Sequence, residues 1–307
     1  MYNHDIKLRF VNDGQRKDYI RRRYENLLKS FQPFEVTSGK DVAQMSAQEI
    51  ADILNRRKAY SQHTLRVYTK IVNSYRLWCS KNQVFNDCST ERVTLSLMSR
   101  DDRIDTMRED FFPSPVALIN RLNEYFPQEW GMPAPVAFCF VWCGLTMVDA
   151  CRLKPNQVDL TNGIIYDEDG AIIANIDVTL RKFIQDNIAI TSVHRHRYVA
   201  TRAKTSFLIQ PWVRTGATYN DEPIEGARIA IAVSDARRLR GVTASLNVDN
   251  VSASGALYRL RRLESEGIDV YDEQNGYLVS KCFGTTYTNP KEHLALYNQY
   301  KQAFNLQ

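Results

Sequence analysis

No run of roughly 18 consecutive apolar residues, the length a membrane-spanning helix needs, occurs anywhere in the 307 residues. An uncharged stretch from Pro133 to Val148 is interrupted by Pro133, Pro135 and Gly144. The opening residues, Met1-Tyr2-Asn3-His4-Asp5, lack the basic-then-apolar pattern of a secretory signal. These absences predict a cytoplasmic protein with no membrane partner. The six cysteines form no CxxC pair and no Cys/His spacing of the zinc-finger kind, so neither a disulfide framework nor a metal site is expected. Cys139 and Cys143, four apart in an apolar run, read as small buried hydrophobes. Internal repeats and low-complexity segments are also missing. What remains is a globular composition, 44% hydrophobic and 24% charged, long enough for two domains.

The net charge of +5 is unevenly spread. Met1 to Lys81 holds sixteen Lys/Arg against eight Asp/Glu. Arg228 to Arg262 holds seven Arg (228, 237, 238, 240, 259, 261 and 262) against Asp235 and Asp249. Two basic regions on a near-neutral body point to a polyanion touched at two places.

Periodicity predicts a helix over residues 15–32, stopped by Pro33. Ser46-Ala47-Gln48-Glu49 is a capping box that opens a helix to about Lys58, with Ile50, Ile53 and Leu54 inward. Ser61 begins a longer helix to Lys81, carrying Leu65, Tyr68, Ile71, Val72, Tyr75, Leu77 and Trp78. Asn86 to Asp110 reads as a polar linker with room for a short helix. Ser114-Pro115 starts a second unit. The stretch from Pro135 to Cys143, apolar all round, predicts a central helix. Gly163–Tyr166 and Ala171–Ile176 form a hairpin through Asp167-Glu168-Asp169-Gly170. A helix over 179–188, an extended stretch over 197–213 and mainly helix over 225–300 complete the reading. The fold class is mainly α with a small β element, divided at residue 110: an N-terminal helical unit, then residues 111–307.

This order resembles the tyrosine recombinase, or phage integrase, superfamily. Ser61-Gln62-His63-Thr64 to Tyr68 and Trp78 is similar to its S-x-x-T-x-x-x-Y helix. Gly144-Leu145-Thr146 to Leu153, with Val158-Asp159-Leu160, is similar to its G-L-R-x-x-E-x-x-x-L segment. The hairpin follows in place. Val251 to Asp269 resembles the segment with its HxxR pair, Cys282-Phe283-Gly284-Thr285 its L-G-H, and Tyr297 and Tyr300 stand near the end. The resemblance spans about residues 45–300. It implies that residues 1–110 are an N-terminal helical arm and core-binding (SAM-like) domain, that residues 111–307 are a tyrosine-recombinase-like domain of mixed α/β catalytic type, and that the two together clamp duplex DNA.

The family's chemistry needs a tyrosine nucleophile, two Arg on the phosphate, a hairpin Lys and assisting His residues. Here those parts are mostly missing. The first Arg position is Thr146, and losing such an Arg costs roughly 10³–10⁵ in rate by analogy with other phosphoryl-transfer enzymes. The hairpin turn is acidic. The HxxR frame falls on Ser254 and Leu257, and the final His position on Thr285. Tyr297 is a leftover candidate nucleophile about three residues late, and Lys204 a weak stand-in for the hairpin Lys. The expectation is no catalytic residue, no metal, no cofactor and no enzyme activity.

Candidate DNA contacts are Arg56, Arg57, Lys58, Arg66 and Lys70 in the first region, Lys204, and Arg237, Arg238, Arg240, Arg259, Arg261 and Arg262 in the second. The run Ser252 to Ala256, small throughout, suggests close approach to DNA. Arg259 and Arg262 share a helix face and are expected to read bases. Residues 234–269 also fit a winged-helix module. His194-Arg195-His196-Arg197 reads as a solvated strand or loop. The resemblance extends to recombinase-like repressors of SPbeta-type phages. It implies a sequence-specific regulator of double-stranded operator DNA in a bacterial cytoplasm, maintaining lysogeny, with a second phage regulatory protein as an open partner. The rivals are a divergent active recombinase and a non-catalytic accessory protein of a recombination complex.

Overall fold

A computed structural model describes residues 2–13, 17–55, 62–94, 97, 100–127, 131–195, 198–242, 244–284 and 290–306. The chain falls into two compact units, Met1–Met107 and Arg108–Gln307. It is mainly helical with two small antiparallel sheets.

The N-terminal unit contains α1 (His4–Asn12), α2 (Asp18–Lys29), α3 (Gln32–Ser38), α4 (Ala47–Asn55) and α5 (Gln62–Lys81). Its core gathers Phe10, Leu28, Phe31, Ile50, Leu54 and Tyr75. The capping box forms as expected. The Glu49 amide donates to Ser46 Oγ (3.1 Å) and the Ser46 amide to Glu49 Oε2 (2.7 Å). Those bonds hold the Glu49 carboxyl below its ordinary range. Pro33 does not only end a helix. It sits in the first turn of α3, where its missing N–H costs nothing. Helix α1, unforeseen, carries Lys7 fully buried against Glu35, with Asp41 at 4.0 Å. Of the apolar residues along α5, Leu77 is 56% exposed, and Cys79 and Arg76 are buried on its inner face. Arg76 donates to the carbonyls of Glu91 (2.6 Å) and Met45 (2.9 Å), and Asn73 makes a two-way amide pair with Val93. The expected linker is thus pinned along α5 before α6 (Arg100–Asp110) begins.

The C-terminal unit is built around α8 (Pro133–Trp142), in which residues 134 to 142 are all buried. Helix α7 (Pro115–Tyr125) starts at Ser114, whose Oγ accepts from the Ala117 amide. Then come α9 (Met147–Arg152), β1 (Val158–Asp159), β2 (Ile164–Tyr166), β3 (Ile172–Asn175) and α10 (Val178–Ala189). The first sheet has order β1-β2-β3. The second, β4 (Ser192–Arg195), β5 (Tyr198–Arg202) and β6 (Trp212–Arg214), includes a strand earlier than the extended stretch expected. Helices α11 (Gly226–Arg240), α12 (Val248–Ser265), α13 (Gly276–Cys282) and α14 (Pro290–Ala303) complete the unit.

Helix α12 crosses α8 at Gly255. A Cβ there would stand 2.8 Å from the Trp142 carbonyl carbon and nearer still to its oxygen. The small residues Ser254, Gly255 and Ala256 are buried, so the run expected to approach DNA instead admits α8. The Ser254 hydroxyl bonds Asn250 O (2.6 Å) and accepts from the Phe112 amide (3.1 Å). This packing also rules out an independent winged-helix module over 234–269, because α12 contributes Val251 to the unit's core.

Candidate nucleic-acid interface

In the N-terminal unit, Arg66 and Lys70 lie four residues apart on α5, both exposed, beside an open groove of about 830 Å³. Arg92 joins them on the pinned segment. A second open groove, about 610 Å³, is lined by Arg22, Arg23 and Tyr19 of α2. Both surfaces offer cations and hydrogen-bond donors suited to a phosphate backbone. Arg56, Arg57 and Lys58 lie outside the described residues.

In the C-terminal unit, Arg237, Arg238 and Arg240 are exposed in the last turn of α11, where their charge complements the helix dipole. Arg238 pairs with Asp235 at 3.0 Å. Lys204 is exposed between β5 and β6. A separate cation escaped notice in the sequence. Arg202 donates to four carbonyls, those of Asn187, Ile190, Gly131 and Gln210, over the Trp212 ring. Burial lowers its pKa to about 10.

A cleft of about 370 Å³ is bounded by β3, α12 and α13. Gly144 (φ 110°) turns the chain at its wall, and a Cβ there would meet the Arg259 guanidinium at 3.2 Å. Arg259 and Arg262 share this cleft, as their spacing predicted, but Arg259 is not available to bases. Its guanidinium donates to Trp142 O, at the end of α8, and to Cys282 O (2.6 Å), at the end of α13. It therefore braces two helix C-termini, and burial lowers its pKa. Arg262 is exposed and 3.4 Å from Glu266. Arg261 is half-buried on the side facing α14, where its charge lowers the pKa of Tyr297 and Tyr300 slightly against the upward push of burial.

The described positions where the resemblance expects a catalytic group make structural contacts in this chain. Thr146 is the N-cap of α9; its Oγ1 accepts from the Asp149 amide (3.1 Å) and donates to Asp149 Oδ2 (2.6 Å). Leu257 is fully buried in the core. At the hairpin turn, Asp167 Oδ1 accepts from the amides of Asp169 (3.0 Å) and Ala171 (2.8 Å). Thr285 lies outside the described residues. Tyr297 is fully buried and its hydroxyl donates to Glu264 Oε2 (2.7 Å), which also takes Lys301 (3.0 Å). Burial first, and then that carboxylate, raise the Tyr297 pKa. A phenol held this way is neither accessible to phosphate nor readily ionised. Tyr300 is likewise buried, donating to Phe112 O (3.1 Å). Cys143, also lining the cleft, is pushed up to about 12 by burial. All six cysteines are free thiols. Among the described residues, no group of His, Cys, Asp or Glu could hold a metal ion, and no helix is long and apolar enough to cross a membrane.

No curated protein matches the chain. A crystal structure of XerA recombinase aligns with a TM-score of 0.36 at 14% identity, over 98% of this chain and 99% of that one. Residues 1–81 match the family model of the MrpR N-terminal core-binding domain. Those residues span α1 to α5, the helices that carry Arg22, Arg23, Arg66 and Lys70. The N-terminal unit is therefore similar to the MrpR N-terminal core-binding domain.

Proposed function

We propose that this chain is a sequence-specific double-stranded DNA-binding regulator, a phage or prophage repressor that maintains lysogeny on a recombinase-type fold that no longer cleaves DNA. The observation that carries the reading is the state of Tyr297, buried and bound to Glu264. Thr146 as a helix cap and Leu257 in the core support it from two further positions. A phosphoryl-transfer site needs its groups placed together and acts as a unit, so these losses are not made good singly. What the fold retains is binding. Arg66 and Lys70 supply phosphate contacts on one unit; Arg238, Arg240 and Arg262 supply them on the other. The operator is the functional ligand, and repression follows from occupying it.

Incubation with a nicked duplex carrying the footprinted site tests this directly. The expected result is binding that weakens steeply with salt, with no SDS-resistant protein–DNA adduct. An adduct abolished by Tyr297→Phe or Tyr300→Phe overturns the reading, and footprints confined to attachment sites rather than promoters would move it to the accessory role.

A further inference from the structure

Strand β3 closes one edge of its sheet, and among the described residues no strand pairs with its outer side. Its side chains are Ile172, Ile173, Ala174 and Asn175, and the two isoleucines are 61% and 49% exposed. An edge with branched aliphatics and open backbone groups is a template for another strand; sequences that avoid this place Lys or Pro there. The 370 Å³ cleft runs along the same strand, with Ile173 on one wall and Leu263 and Leu278 on the other. Its charge is positive. Arg262 is matched by Glu266, Arg259 is met only by carbonyls, and exposed Lys281 makes no ion pair among the described residues.

We propose that this edge and cleft bind an extended segment of a protein partner, which adds to β3 as a fourth strand. The segment has aliphatic side chains at alternate positions and at least one carboxylate directed at Lys281. Main-chain pairing supplies affinity in this mode, and the pockets for alternate side chains supply selectivity. Two features favour a peptide over a polynucleotide. Aliphatic walls and an open strand edge match backbone amides and apolar side chains, not phosphates. The hairpin turn that ends this edge, Asp167-Glu168-Asp169, repels a backbone charged at every nucleotide more than a segment with one or two carboxylates. The inference stands on the cleft alone and does not require the chain to be a repressor.

The test uses the full chain and a fluorescein-labelled peptide, Gly-Val-Glu-Val-Asp-Val-Gly, against the same peptide with Lys in place of both acids. Anisotropy should report saturable binding of the acidic peptide, at least about tenfold tighter than the lysine peptide. Lys281→Glu and Ile173→Glu should each weaken it by about tenfold or more, with an unchanged melting temperature because both side chains reach solvent. Hydrogen exchange at residues 172–175 should slow on binding. Equal binding of the two peptides, indifference to Lys281→Glu, or protection of these amides by a 20-base-pair duplex but not by the peptide would each overturn the proposal.

Discussion

Replacing Gly255 by Ala adds one methyl group at the tightest point of the C-terminal unit. Helix propensity alone favours the change by about 1 kcal/mol, since glycine is the poorer helix former. The crossing opposes it. A Cβ placed 2.8 Å from the Trp142 carbonyl carbon must retreat to the 3.5–4.0 Å of an ordinary carbon contact, a shift of roughly 1 Å. Neither helix has room to give. Residues 134 to 142 of α8 are buried throughout, and Val251, Ala256, Leu257 and Leu260 of α12 are 0–1% exposed. Overpacking of this kind costs about 1–3 kcal/mol, and here more, because backbone rather than a flexible side chain stands in the way. The shift also draws Arg259 from Trp142 O and leaves that carbonyl under-satisfied, a further loss of about 1–3 kcal/mol. The sum is a net destabilisation of about 3 kcal/mol. For a unit of this size each kcal/mol moves the melting temperature by about 2–4 °C, so Gly255→Ala should melt roughly 6–12 °C lower by calorimetry. A variant that melts at or above the parent would mean that propensity outweighs the crossing and that the close approach of α12 to α8 is wrong.

Four further outcomes follow from the same contacts. Arg259→Gln should lower the melting temperature by several degrees and weaken operator and random duplex alike; a selective loss of operator discrimination with normal stability would restore Arg259 as a base reader. Thr146→Arg should cost about 1 kcal/mol by removing the α9 cap and should restore no relaxation of supercoiled DNA, as a plasmid assay would show. Glu264 is pushed up by burial but held below its ordinary 4.5 by the hydrogen bonds from Lys301 and Tyr297. Its stabilising contribution is therefore complete above about pH 4.5 and lost as pH falls below it, so Glu264→Gln should flatten the acid limb of a stability profile measured by urea titration. Arg66→Ala with Lys70→Ala should weaken all duplexes about equally and reduce the slope of log K against log salt by up to about one unit per residue; an unchanged slope would take α5 out of the interface.

Local chemistry made much of this molecule legible. The Ser46–Glu49 box and the Ser114 cap are settled by neighbours three residues apart, and α8 announces itself by being apolar on every side. Distance along the chain explains the misses. Helix α1 hides because its inward face includes Lys7, whose partner Glu35 lies 28 residues away. Arg259 looked like a DNA contact because the carbonyls that occupy it belong to residues 117 and 23 positions distant. The small residues before it suggest an entry for DNA in the sequence, but the same absence of side chains serves a helix equally well. At the candidate site, the order of motifs marks the positions where the resemblance expects catalytic groups. Only the three-dimensional contacts show what those positions do instead.

The setting of Arg259 has an electrical consequence. Among the described residues no acid forms an ion pair with it, and a guanidinium stays protonated across the physiological range. The positive potential at the cleft floor is therefore a fixed quantity, indifferent to pH and, being buried, little screened by salt. At the mouth, Arg262 and Glu266 form an exposed pair whose strength falls with ionic strength. The cleft thus has a constant inner charge behind an adjustable rim, and any anionic group that enters meets the rim's salt sensitivity in its rate of arrival and the floor's constancy in its residence time.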